Sequence, residues 1–148
     1  MNKNDERGLS LIEILIVIAI IAILGTITFV AINPSKYAAE SRDTERESEV
    51  IQILNKAHQY LADDKTISDL EAAAGTIGEC GTADSNIGTS GVNLGAVLVS
   101  DYISEIPIDP SSGCNAGDTC YDICKNSSNG SITIKAPNAE TRTIESKR

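Results

Sequence analysis

Few side chains in this 148-residue chain combine a reactive type with a telling position. Glu13 is the first. It is the one charged residue in LSLIEILIVIAIIAILGTITFVAI, the stretch from Leu9 to Ile32. From Ile14 to Ile32 there is no charge at all, and about 19 residues at 1.5 Å rise give roughly 28 Å of helix, close to the hydrocarbon thickness of a bilayer. An acidic group deep in a membrane costs about 2.5–3.5 kcal/mol even on the lenient insertion scale, and less near the membrane edge. Glu13 therefore asks for a cationic partner, and the apolar run contains none.

The remaining candidates for chemistry are weaker. His58 is the sole histidine, with no second histidine and no cysteine at ligand spacing, so neither a metal nor a catalytic role attaches to it. Serines are plentiful, but no G-x-S-x-G elbow, Walker loop, H-E-x-x-H motif or paired catalytic acid accompanies them. No catalytic residue, cofactor or metal is assigned, and an enzyme is not expected. Asp109, Asp118 and Asp122 could in principle recruit calcium, yet they lack EF-hand spacing and read as turn formers. Asn126-Ser127-Ser128 and Asn129-Gly130-Ser131 fit the N-glycosylation acceptor pattern and equally fit turn chemistry, which is the reading taken.

The four cysteines, Cys80, Cys114, Cys120 and Cys124, all follow the apolar run and sit among Gly, Asn and Ser rather than among histidines. An oxidising compartment for that half is the simplest account. The net charge of −9 argues against long-range attraction to nucleic acid or to an anionic membrane surface. The length suits one modest domain besides the apolar segment.

The elements that must carry these residues begin with the N-terminus itself. An ordinary cleaved signal peptide would have a basic n-region, a shorter apolar core and an A-x-A-like cleavage site; here Lys3 and Arg7 are mixed with Asp5 and Glu6, and the apolar run is too long. A plain membrane anchor fits the length but leaves Glu13 unexplained. The junction Arg7-Gly8-Leu9-Ser10-Leu11-Ile12-Glu13 resembles that of type IV pilins and pseudopilins, in which a membrane peptidase cuts after the glycine and the new N-terminus is methylated. The match consists of a short charged leader, the Gly, a Glu as fifth residue after it, and an unbroken apolar helix. Leu9 departs from the Phe that is commonest in the family. The resemblance implies cleavage between Gly8 and Leu9, N-methylation of Leu9, and an assembly role for Glu13, whose carboxylate would pair with the Leu9 amine of a neighbouring subunit and fix the axial register of a filament.

Further along, Gly25, Thr26 and Thr28 lower helix propensity, and Asn33-Pro34 disfavours an uninterrupted helix. Gly25 and Pro34 mark the expected helix break; the resemblance implies that this stretch loosens in a bundle and gives a fibre extensibility. Ser35 is expected to cap a second helical stretch, in which Val50, Ile53, Leu54, Ala57 and Leu61 recur at helical spacing with Tyr60 beside them. If continuous, the helix from Ser10 to Ala62 would be roughly 80 Å long. Within it, SRDTERESE reads as a solvated collar, with Arg42 and Glu45, Asp43 and Arg46, and Arg46 and Glu49 spaced three apart, each exposed pair worth at most about 1 kcal/mol.

In the remainder, VNLGAVLVSDYISEIPIDP resembles the pilin segment in which a short helix ends in a Tyr, here Tyr102, before the turn Ile106-Pro107-Ile108-Asp109-Pro110. Alternation predicts strands over Tyr121–Lys125 and Ile132–Ala136, joined as a hairpin by the turn-rich NSSNGS, with a last edge strand over Glu140–Glu145. The loop from about Gly75 to Gly91 matches nothing. Four cysteines allow three pairings. If Cys120 and Cys124 share an extended strand they are about 13 Å apart, beyond disulfide reach. Cys80 with Cys124 and Cys114 with Cys120 is the preferred pairing.

The expected fold is α+β, a long N-terminal helix on a small antiparallel sheet stapled by disulfides. Residues 1–8 would be the leader, 9–34 the transmembrane and assembly helix, and 35–148 the head with the amphipathic half of the helix. The expected function is that of a structural subunit of a type IV pilus, a homo-oligomeric filament at the cell surface that starts as a single-pass protein of the cytoplasmic membrane with its head outside. The implied partners are a prepilin peptidase and an assembly platform in the membrane. A pseudopilin of a type II secretion or DNA-uptake machine is the alternative within that architecture, and a membrane-anchored extracytoplasmic binding module is the alternative of another class.

Overall fold

The computed structural model describes residues 9–82 and 84–148, with residues 30–32 described by their backbone alone. The chain forms two compact units that divide between Ala38 and Ala39, four residues after the boundary expected at Pro34.

In the first unit, helix α1 spans Leu11–Ile32 and is apolar apart from Glu13, Thr26 and Thr28. Its hydroxyls need no outside partner: Thr26 Oγ1 donates to the Ala22 carbonyl at 2.7 Å, and Thr28 Oγ1 to the Leu24 carbonyl at 2.8 Å. This back-bonding is how polar side chains are tolerated in apolar helices. The helix runs through Gly25 without interruption and ends at Asn33, which adopts a left-handed conformation with φ 48° and ψ 74°. Pro34 then starts helix α2, Pro34–Ala62. A proline at the first helical position loses only an N–H that would be unpaired there. The expected cap at Ser35 is corrected: Ser35 lies inside α2, and Asn33 accepts the Lys36 N–H on its carbonyl at 3.1 Å and the Ser35 hydroxyl on its side chain at 2.8 Å.

In the second unit, the stripe Val50, Ile53, Leu54 and Ala57 of α2 is buried, joined at its edge by half-buried Tyr60 and Leu61. These residues belong to one core with Leu70 and Ala74 of helix α3 (Ile67–Ala74), Leu98 of the one-turn helix α4 (Gly95–Leu98), and the sheet residues Ile123, Ile132 and Ile134. Helix α3 starts with a reciprocal cap between Thr66 and Asp69. The sheet is antiparallel, in the order β1 (Ser85–Asn86), β2 (Asp122–Asn126), β3 (Ser131–Lys135) and β4 (Glu145–Lys147). The hairpin register pairs Asn126 with Ser131, so β2 starts one residue later and β3 one residue earlier than the alternation predicts. The architecture is thus α+β, a long apolar helix with a four-stranded antiparallel sheet and two disulfides.

Two expectations shift. Helix α4 closes at Leu98, before Tyr102, which follows in a turn; the Tyr102 hydroxyl donates to Asp63 at 2.6 Å and its ring meets Tyr60 edge to face at 5.9 Å. The last strand lies at Glu145–Lys147 instead of Glu140–Glu145. The backbone N–H groups of Glu140 and Thr141 are committed to the Asp43 carboxylate, at 3.0 and 2.7 Å, and a group so engaged cannot join a ladder.

The disulfides join Cys80 to Cys124 and Cys114 to Cys120, with Cα separations of 4.9 and 5.6 Å. Cys124 lies in β2, but Cys120 lies outside it at φ 61°, and this turn brings it back to Cys114. The unmatched loop is held down by the Cys80–Cys124 bond and by two backbone bonds with Lys125, whose carbonyl accepts the Cys80 N–H and whose N–H donates to the Gly78 carbonyl. It also passes the segment before β2 very closely: a Cβ on Gly88 would sit 2.3 Å from the Gly117 carbonyl oxygen, so only glycine fits there.

Candidate functional site

Two places concentrate polar groups where the surroundings make them consequential. The first is the start of α1. Ser10 is its N-cap in extended conformation (φ −77°, ψ 151°), and Glu13 is the third helical residue. The Glu13 backbone N–H donates to Ser10 Oγ at 3.3 Å, and the Ser10 backbone N–H donates to Glu13 Oε2 at 3.5 Å. This capping box answers part of the question that Glu13 poses, because the carboxylate lies at the positive end of its own helix and has one neutral donor within the chain. Among the described residues, no cation is a hydrogen-bond partner of this carboxylate. Leu9 sits just outside the helix and is exposed, while Gly8 lies outside the described residues. The side chains from Leu11 to Phe29 are all open to the surroundings, and this helix is long and apolar enough to cross a membrane.

The second place is buried, and the sequence reading places it in solvent. Asp43 and Arg46 are fully buried, not part of a solvated collar. Arg46 Nε donates to Asp109 Oδ2 at 2.8 Å and Nη2 to Asp109 Oδ1 at 3.2 Å, a two-pronged pairing; Nη1 donates to Asp43 at 2.8 Å and to Glu140 at 3.1 Å, and Nη2 also reaches the Ser111 hydroxyl at 2.9 Å. Of the three spaced pairs expected within the collar, Asp43 with Arg46 forms. Arg42 turns to Glu140 at 2.6 Å, and Glu49 accepts the hydroxyl of the fully buried Tyr121. Asp109, read as a turn former or calcium ligand, is the main partner of Arg46. Its neighbours in that reading are also engaged otherwise: Asp118 accepts the Cys120 N–H at 2.9 Å, and Asp122 is half-buried in β2.

The electrostatics follow from these contacts. Burial pushes the Asp43 carboxyl up, but hydrogen bonds from Thr141, Glu140 N–H and Arg46 outweigh it and hold it well below the usual range. Burial likewise opposes, and Arg46 and Ser111 overcome, at Asp109, which is also lowered. Glu140 is held down to about 2, chiefly by Arg42 and then Arg46. Glu49 goes the other way: burial raises it despite the Tyr121 hydrogen bond. The hydrogen bonds to Asp109 and Asp43 keep Arg46 charged. The cluster thus ties α2 to the Ile106–Pro110 turn and to the C-terminal segment, a structural task rather than a reactive one. Its sequence signal was present: positions 43, 46, 50, 53 and 57 continue one stripe at steps of three and four, so the core face of α2 extends to Asp43 and Arg46.

His58 is partly buried, its Nε2 lies 3.2 Å from the Arg148 carbonyl, and burial lowers its imidazole.

Residues 3–29 match a family model described as the prokaryotic N-terminal methylation motif. The matched stretch contains Gly8, Leu9, Glu13 and the apolar helix as far as Phe29, and it supports a type IV pilin or prepilin kinship. No curated protein and no solved structure matches the chain.

Proposed function

We propose that this chain is a prepilin-type precursor whose residues 1–8 are removed by a prepilin peptidase after Gly8, whose Leu9 is then N-methylated, and whose product polymerises into a type IV pilus. The observation that carries the reading is the methylation motif over residues 3–29. In this reading residues 9–34 are first a membrane anchor and then the packed core of the filament, while residues 35–148 supply the head on the cell surface. The oxidised cysteine pairs fit a head outside the cytoplasm. The exposed apolar face of α1 is a surface that lipid covers before assembly and neighbouring helices cover afterwards. A carboxylate has about four acceptor positions, so the bond from Ser10 leaves Glu13 capacity for a neighbour's Leu9 ammonium. The Asn33–Pro34 interruption, with Gly25 upstream, is the place where a bundled helix would give way under tension. A pseudopilin of a secretion or DNA-uptake machine uses the same chemistry and differs in filament length and partners.

The decisive measurement pairs two readouts. Mass spectrometry of the native protein should find a chain starting at methylated Leu9; an intact Met1 in surface filaments would refute the processing step. Glu13→Gln keeps size and hydrogen bonding but removes the charge. It should leave leader cleavage intact while processed subunit accumulates in the membrane with few or no filaments. A plain membrane-anchored binding module predicts an intact N-terminus and no defect from this substitution, and an unchanged ratio of sheared filament to membrane-bound subunit would overturn the assembly role.

A further inference from the structure

We propose that Asn129 is a site of spontaneous covalent modification, at which the side-chain amide is converted to aspartate and isoaspartate through a cyclic imide formed with Gly130. Residues 127–130 form the exposed tip between β2 and β3. Asn129 Oδ1 accepts two hydrogen bonds from Ser131, one from its backbone N–H at 3.0 Å and one from its hydroxyl at 2.8 Å. Both donors withdraw electron density from the amide carbon and sit where negative charge develops when a nucleophile adds to it. The nucleophile is the next backbone nitrogen, that of Gly130. Glycine presents no side chain to the closing ring, and the space a Cβ would occupy is open, with no heavy atom within 4 Å.

The step balances with water alone. The Gly130 N–H gives its proton to hydroxide, a bond forms between that nitrogen and Asn129 Cγ, and the Cγ–Nδ2 bond breaks as Nδ2 takes up a proton and leaves as ammonia. Water then opens the five-membered imide at either carbonyl, giving aspartate or isoaspartate, with no change in oxidation state. One contact opposes the step: the Gly130 N–H donates to the Asn126 carbonyl at 2.8 Å and must be released first. That bond lies within the exposed turn, where local opening needs no disruption of the core, so conversion is slower than in an unstructured peptide but proceeds in the folded chain.

The same loop supplies a control. The side-chain oxygen of Asn126 accepts the Ser128 N–H at 2.9 Å, but the following nitrogen belongs to Ser127, whose N–H and hydroxyl are both held by Glu79. Asn33 precedes Pro34, which has no N–H to offer. Conversion at Asn129 makes a chain of net charge −9 one unit more negative. It places a carboxylate two residues from the Ser127–Glu79 contact and, as isoaspartate, adds a methylene to the main chain of the hairpin. That the change would accumulate with age on a surface filament rests on the proposed function; the chemistry itself does not.

The test is a time course on the intact, disulfide-bonded protein at neutral and mildly alkaline pH, followed by peptide mapping with isoaspartate detection. Asn129 should convert ahead of Asn126 and of every other asparagine, faster at the higher pH, and Asn129→Gln should abolish the leading acidic species. Ser131→Ala removes the hydroxyl donor but keeps the N–H, and should slow conversion about fivefold, the worth of one ordinary hydrogen bond; in urea the difference should disappear. Another asparagine leading, a glycan at Asn129, or no conversion while a peptide of the same tip sequence reacts would overturn the proposal. Acceleration by Ser131→Ala in the folded chain would overturn the role given to the hydroxyl.

Discussion

The start of α1 and the Arg46 cluster hold charges in apolar surroundings by opposite means. At Arg46 the cation, its two buried carboxylates and the Glu140 side chain satisfy one another inside the chain, and among the described residues no buried side-chain nitrogen or oxygen lacks a partner. At Glu13 one neutral N–H is, among the described residues, what answers the carboxylate, on a helix whose side chains from Leu11 to Phe29 are uncovered. A charge that is fully answered within the chain serves the fold. A charge left with capacity, on a face that no described residue covers, points beyond them. The two sites should therefore fail differently when altered.

The largest effect is expected from Arg46→Met, which leaves Asp43 and Asp109 buried without their cation and should destabilise the head by about 3–5 kcal/mol. Urea unfolding of the detergent-solubilised full chain measures it, and leader processing should persist. Glu13→Gln should leave that same unfolding midpoint unchanged. If Arg46→Met leaves the midpoint unchanged as well, the contrast between the two sites is wrong. Cys80→Ser comes next: it releases the loop tied to β2 and should cost the head about 2–4 kcal/mol without affecting membrane insertion. Non-reducing peptide mapping should at the same time still recover Cys114 linked to Cys120.

A pH series sharpens the comparison further. Asp43, Asp109 and Glu140 bind protons less readily when folded than when unfolded. Their stabilisation is complete above the ordinary carboxylate range near pH ~4 and drains away as pH falls through the folded values, Glu140 titrating at about 2. Glu49, raised by burial, has the opposite sign and favours the folded state at low pH, an advantage lost as pH rises through its folded value. Unfolding midpoints should therefore fall below pH ~4 in the wild type. The fall should be shallower in Arg46→Met, whereas Glu49→Gln should remove the gain that acidification gives above pH ~4, between the ordinary carboxylate range and the raised Glu49 value; identical profiles in wild type and Arg46→Met would remove the cluster as the source of the fall.

Much of this molecule is local in origin and therefore legible in one dimension. The apolar run, the Asn33–Pro34 interruption, the stripe from Val50 to Ala57 and the turn between β2 and β3 each depend on residues a few positions apart, where propensity and periodicity act directly. The methylation motif is equally local, a match contained within residues 3–29. What the tertiary structure decided lies at long separations. Whether Asp43 and Arg46 face water or core depends on Asp109, Glu140 and Thr141, residues more than sixty positions away whose approach no spacing rule encodes. The same contact displaced the last strand, because the Asp43 carboxylate took the backbone donors that alternation assigns to a ladder. A charge pattern on a helix fixes which residues share a face; only the chain folded against that face determines the dielectric they experience, and with it whether they are solvated ornaments of the surface or the joint that holds the head together.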